Sequence, residues 1–162
     1  MANWSSVSAA APDLAALARA RFEASGLGLL ATLRHDGSPR ISGIEPLFAS
    51  DELWLGMMPG SRKVDDLLRD PRFALHSATE DKRVTHGDAR ISGRAIHVQD
   101  DDTIAGFRRA FEAHTGYALP AGPFALFRAD VNEVSVIRPA GDHLNIDFWR
   151  EGAGEPKQFE RY

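Results

Sequence analysis

LGMMPGSRKVDDLLRDPRFALH, residues 55–76, changes character three times within one short stretch. An apolar run, Leu55 to Met58, meets Pro59-Gly60. Ser61-Arg62-Lys63 then opens a segment whose apolar positions Val64, Leu67 and Leu68 have the i, i+3, i+4 spacing of one helix face, and Asp70-Pro71 closes it before a second apolar run, Phe73 to Ser77. A strand that feeds through Pro-Gly into a helix leaves unpaired backbone amides near Ser61, where its hydroxyl and the two adjacent cations can converge on one point. Such a point suits an anion. The helix dipole contributes about 0.3–1 kcal/mol, and charge-assisted hydrogen bonds from Arg62 and Lys63 about 1.5–3 kcal/mol each, so the side chains dominate and a phosphate monoester is the expected ligand. The same residues also read as an ordinary N-cap followed by two solvated cations, and the surroundings have to decide.

Working outward, the flanks are strands. Gly28 to Arg34 is followed by His35-Asp36-Gly37-Ser38-Pro39, a hairpin signal, because Asp and Gly both tolerate positive φ; the returning strand runs from Arg40 to about Phe48. Ser50-Asp51-Glu52 turns it into a third strand, Leu53 to Met57. Downstream, after the polar loop Thr79 to Asp88, Ala89 to Val98 alternates as a long strand with Gly93 marking a bulge, and Phe124 to Ile137 and Leu144 to Trp149 read as the last strands. Pro12 to Ser25 is a helix stopped by Gly26, read as a lid, and Ile104, Phe107, Ala110, Phe111 and His114 form the apolar face of another helix opened by Asp100-Asp101-Asp102. Six or more sequence-adjacent strands with three helices suit a small antiparallel barrel better than a parallel sheet.

Composition bounds the rest. A chain of 162 residues with 43% apolar and 26% charged residues fits one domain, residues 1–162. A net charge of −4 argues against a general nucleic-acid binder, and without cysteine there is neither a disulfide nor a thiolate metal site. No apolar stretch approaches the roughly 20 residues of a membrane helix, and no signal peptide is read at the start, so a soluble cytoplasmic protein with no membrane or nucleic-acid partner is expected. The six histidines show no i, i+4 pair and no HExxH, which makes each a structural or surface residue and gives no metal site. No G-x-S-x-G elbow and no dinucleotide fingerprint occur.

Three antiparallel strands, S-R-K, a short helix, Asp-Pro and the strand Arg72-Phe73-Ala74-Leu75-His76 together resemble the pyridoxamine 5'-phosphate oxidase-like family, closely over about residues 27–98 and loosely beyond. The resemblance implies a mainly β fold with helices: a six- to seven-stranded antiparallel split β-barrel that binds FMN. It also implies a homodimer with the cofactor at the subunit interface. By that resemblance Ser61, Arg62 and Lys63 grip the cofactor phosphate, Arg40 on the second strand contacts the cofactor, Gly56 and Met57 lie beside the ring, Asp88 meets it from a later strand, and Trp149 packs near it from the neighbouring subunit. Outward apolar residues on Leu53 to Met57 and Ala89 to Val98 point the same way, toward a covering partner.

The departures narrow the expectation. Glu45 stands where the oxidase proper has a lysine and Met57 where it has a threonine; Asp88 replaces a glutamine and, unless protonated, can only accept. The C-terminal arginine-x-histidine pair that binds the B6 substrate has no counterpart around Trp149-Arg150-Glu151, so a vitamin B6 oxidase is not expected. Arginine supplies 16 of the 19 basic residues, a bias associated with high-GC bacteria, whose family members often use the deazaflavin coenzyme F-420. The expected function is an FMN- or deazaflavin-dependent oxidoreductase that transfers hydride to or from a small molecule, with no catalytic acid or base assigned. The alternative is a non-catalytic flavin or haem carrier.

Overall fold

Phe73, Leu75 and Ser77 are buried while Arg72, Ala74 and His76 face outward, the period of two that makes a half-covered strand. The same alternation recurs through the sheet. The computed structural model describes residues 1–162, which form helices α1 (Trp4–Ala10), α2 (Pro12–Ser25), α3 (Arg62–Arg69) and α4 (Asp101–Thr115). The strands are β1 (Gly28–Leu33), β2 (Pro39–Ile44), β3 (Pro46–Ala49), β4 (Glu52–Met57), β5 (Arg72–Ser77), β6 (Asp88–Val98), β7 (Ala125–Ala140), β8 (His143–Arg150) and β9 (Lys157–Arg161). All pairings are antiparallel, and seven strands run in the order β2-β1-β5-β6-β7-β4-β3, with β8 and β9 continuing from β7.

The two ends of this path, β2 and β3, are consecutive in the chain, so the barrel is closed there by covalent continuity through Glu45 and not by a ladder. That is the split. The expected single strand from Arg40 to Phe48 is therefore two strands on opposite ends of the sheet path. Pro46, which cannot donate a backbone hydrogen bond, opens the second of them. The long strand β7 changes partner along one side: Ala125 to Arg128 pair with β4, whereas Glu133 to Ala140 pair with β8.

The bulge expected at Gly93 is present, but the extra residue lies opposite. Ser92 pairs with Glu133 and Gly93 with Val131, which leaves Asn132 of β7 over. Gly93 is what lets the strands come together, because a Cβ there would lie 2.0 Å from the Asp130 carbonyl oxygen. The N-terminal segment is tied to the same spot: Ala2 N donates to Asp130 Oδ1 at 2.8 Å and Val131 N to Ala2 O at 2.8 Å.

The helices depart from expectation in two ways. The first, α1, was not legible; Asn3 caps it by accepting from Ser6 N, and its Trp4 ring meets Phe48 at 4.7 Å. The second helix, α2, is no lid, for Leu14, Ala15, Ala18 and Phe22 are buried in the main core among strand residues. A second, smaller core lies under α4, where Phe107 and Phe111 cover Trp54, Leu47 and Leu126. The outward apolar residues of β4 are thus covered by the chain's own helix, which removes them as evidence for a partner. Exposed apolar residues lie instead on β1 and β2, at Leu29 and Ile41.

Gly93→Ala is expected to destabilise the fold by about 2–4 kcal/mol, since only backbone can give way. Gly43→Ala, whose Cβ would meet nothing within 4 Å, should change stability by less than about 0.5 kcal/mol. Urea unfolding of the two variants beside the wild type checks both values.

Candidate functional site

Ser61 stands at the N-cap of α3 in extended conformation, yet its hydroxyl makes no capping bond. The Ser61 Oγ is buried and has no hydrogen-bond partner at all, and the same holds for Ser42 Oγ on β2. An orphaned buried hydroxyl costs roughly 1–3 kcal/mol, so one at the helix start and one on the strand that Lys63 contacts mark groups kept for something other than the fold. Lys63 links the two elements by donating from Nζ to Gly43 O at 2.6 Å, and its partial burial pulls the ammonium below the ordinary lysine range. Arg62 is exposed and makes neither an ion pair nor a side-chain hydrogen bond within the chain. A cation that burial makes costly, a second cation left free and two hydroxyls without partners together form a site chemically suited to a phosphate.

One turn further along α3, Asp66 is 2% exposed and receives three hydrogen bonds, from Thr32 Oγ1 at 2.8 Å, Arg40 Nε at 2.6 Å and Arg69 at 3.2 Å. Burial pushes this carboxyl up, but the bonds from Arg40, Thr32 and Arg69 outweigh it and hold the group below the usual carboxylate range. The carboxylate is thereby the device that seats α3 on β1 and β2. Sequence reasoning missed it, because Asp65-Asp66 looks like a solvated helix face and only the register that sets Thr32 opposite Arg40 reveals the pocket.

The expected site residues divide into groups. Ser61, Arg62 and Lys63 come together, and Arg40 reaches the same helix one turn below them, where only its Nε is engaged. Gly56 faces the second core: a Cβ there would lie 2.6 Å from the Phe124 ring. Met57 is buried in the main core, so this pair presents backbone only. Asp88 lies across the sheet at the start of β6, where its carboxylate takes Thr79 Oγ1 at 3.2 Å and faces His76 Nε2 at 3.9 Å. Trp149 is buried in its own subunit's core, on the inward row that links Trp149, Val134, Ile91, Leu75 and Leu30. Its neighbour Phe148 takes the outward row; a one-residue difference in register decides which aromatic faces out.

On the outer face of the sheet lies a shallow hollow of about 300 Å³ lined by Leu29, Ala31, Ile41, Ala74, His76 and Arg90. A larger groove of about 550 Å³ runs between α1, α2 and the β3–β4 turn. Its one cation, Arg19, is already paired with Glu23, so it offers no free phosphate-binding group.

Comparison with known proteins bears on the family and the fold. The family model described as pyridoxamine 5'-phosphate oxidase matches residues 14–138. Among solved structures, PhzG from Burkholderia lata 383 in complex with tetrahydrophenazine-1-carboxylic acid is 17% identical, with a TM-score of 0.64 over 83% of this chain and 81% of that one. A pyridoxamine 5'-phosphate oxidase-related, FMN-binding protein from Nostoc punctiforme is 14% identical, with a TM-score of 0.64 over 96% and 97%. A haem-binding protein from Mycobacterium smegmatis is 22% identical, with a TM-score of 0.59, and the match covers 83% of this chain and 57% of that one. No curated protein matches the chain. No helix is long and apolar enough to cross a membrane.

Asp66→Asn is expected to cost about 2–4 kcal/mol, because it leaves Arg40 and Arg69 without their charge partner. The folded carboxyl titrates below its unfolded value. Its contribution is therefore complete above the ordinary carboxylate range, about pH 4, and is lost as pH falls through the lowered folded value. Urea midpoints measured from neutral to acid pH should fall less steeply below about pH 4 in the variant than in the wild type.

Proposed function

The chain belongs to the pyridoxamine 5'-phosphate oxidase family, and from that premise we propose that it is an oxidoreductase that binds FMN or the deazaflavin coenzyme F-420 by its phosphate. The reaction moves a hydride between that coenzyme and a small organic molecule. The observation that carries the reading is the partnerless buried hydroxyl of Ser61 at the helix start, where Arg62 is free and Lys63 is desolvated, with a second such hydroxyl, Ser42, on β2 next to the Gly43 whose carbonyl holds Lys63. A phosphate in this place gives both hydroxyls an acceptor and lifts the Lys63 ammonium back toward its ordinary range. Arg40, fixed through Nε by Asp66, keeps its terminal amino groups for the same anion. The bound coenzyme supplies the hydride chemistry; the chain's residues hold the phosphate, orient the ligand and exclude water.

A non-catalytic carrier of flavin or haem is the second reading, favoured by the shared fold of the haem-binding protein from Mycobacterium smegmatis. The absorbance spectrum of the purified protein separates FMN, deazaflavin and haem. Uptake of haem with neither flavin nor deazaflavin bound would turn the assignment to that reading.

We also propose a homodimer in which the exposed outer face of β1 and β2, with Leu29 at 48% and Ile41 at 69% exposure, is covered by the second copy and the cofactor lies between the two. Sedimentation equilibrium should give twice the chain mass at micromolar concentration, and Ile41→Glu should shift the equilibrium toward monomer.

Replacing Arg62 and Lys63 together with alanine should leave the fold intact, because Val64 and Leu67 supply the buried side of α3. Affinity for the phosphorylated cofactor should fall roughly 10²- to 10⁴-fold if the two terms add. Affinity for the dephosphorylated form should change far less. Fluorescence titration of both forms, with circular dichroism as folding control, checks this; equal losses would return Ser61-Arg62-Lys63 to a plain capped helix.

A further inference from the structure

The groove between α1, α2 and the β3–β4 turn takes no part in the phosphate site, yet at about 550 Å³ it has the size of a small-molecule pocket. Its floor is aromatic. Trp4 and Phe48 meet edge to face at 4.7 Å, with Pro12 and Ala16 of α2 beside them. Phe48 already has one cation over its ring, the Arg19 guanidinium at 5.8 Å. Arg19 is the only cation on the lining, and its Nε donates to Glu23 at 2.7 Å.

The polar groups of the walls have one character in common. Ser5 Oγ donates to Asn3 Oδ1 at 3.1 Å and Ser8 Oγ to Trp4 O at 3.0 Å, so both hydroxyl protons are directed into the α1 segment and lone pairs remain for a ligand. The β3–β4 turn contributes two carboxylates, which can only accept. Asp51 is exposed and forms no ion pair within the chain. The Glu52 side chain is 12% exposed; its Oε1 takes Arg128 at 3.4 Å, and its Oε2 is buried with no hydrogen-bond partner. An unpartnered oxygen of a charged group is costlier to keep from water than a neutral hydroxyl. Ser5 N donates to Asp51 O at 3.0 Å, so α1 and the turn are joined and the acceptor set is assembled by the fold itself.

Acceptor-rich, negatively charged walls over an aromatic floor suit a ligand that brings its own donors and a positive charge. We propose that this groove is a second binding site, separate from the phosphate site, for a small organic ammonium compound. Its N–H groups are taken by Asp51, Glu52 and the serine hydroxyls, and its apolar body lies along Trp4, Phe48 and Ala16. The same carboxylates repel an anion. No residue of the lining belongs to the phosphate site, so the two assignments stand or fall separately.

The probes are phenethylamine, protonated at neutral pH, and phenethyl alcohol, its neutral counterpart of nearly the same shape. Each is titrated into the full chain as wild type, Asp51→Asn and Ala16→Phe, followed by the amide and indole proton–nitrogen resonances, with circular dichroism as folding control. Ala16 is exposed on α2, so a phenyl ring there fills the groove from its rim and not from the core. The amine should bind saturably at one site per chain, moving the Trp4 indole resonance together with the Ser5, Ser8 and Asp51 amides. The alcohol should bind roughly tenfold more weakly. Asp51→Asn should lower the affinity for the amine several-fold and Ala16→Phe should abolish binding, both with the fold intact. Added salt should weaken the amine and leave the alcohol unchanged. No saturable shift at these residues, equal affinity for amine and alcohol, or unchanged amine binding in Ala16→Phe would overturn the inference, whatever the coenzyme titrations give.

Discussion

One buried carboxylate holds the site to the barrel. Asp66 takes hydrogen bonds from β1, β2 and its own helix, and Arg69 of the same helix reaches Leu33 O at the end of β1. With three apolar residues, of which only Val64 and Leu67 are buried, this eight-residue helix has little cohesion of its own. Its position is therefore set by this polar clamp together with Val64 and Leu67. Everything that depends on where α3 begins, including the direction of Ser61, Arg62 and Lys63, depends on a charge taken out of water and fully paired.

A second constraint shapes the sheet that the clamp grips. The extra residue Asn132 opposite Gly93 bends β7 at the point where its partner changes from β4 to β8. The same strand can then line the barrel with its first half and carry the C-terminal hairpin with its second. The N-terminal segment packs onto the bend through Ala2, so segments remote in sequence meet at one irregularity.

Much of this was legible in the sequence, and the failures have physical reasons. Strand and helix positions followed from periodicity and from Pro, Gly and Asp punctuation, and the S-R-K turn pointed to an anion site only when its flanking strands and Asp-Pro were read with it. The break at Glu45-Pro46 was hidden because Arg40 to Phe48 is continuous in apolar pattern. The seven-residue helix α1 was hidden because it is too short to show a period. Register is the deeper limit. Whether Trp149 or Phe148 faces outward, whether Asp66 is solvated or clamped, and whether His76 meets Asp88 are all decided by which residues of distant strands stand opposite, and no local pattern carries that information.

The seam between β2 and β3 also bears on how the protein keeps to itself. Each is a strand with one free side, and an unpaired strand side is a template on which other chains can stack. Both begin with proline, Pro39 and Pro46, which withholds a backbone donor where such stacking would start. The remaining free strand, β9, carries Lys157, Glu160 and Arg161 on a fully exposed ribbon. An incomplete barrel in solution risks fibrous aggregation along its open margins; here prolines at the seam and charges on the last strand defend those margins, so the gap that gives the split barrel its name is kept without inviting polymerisation.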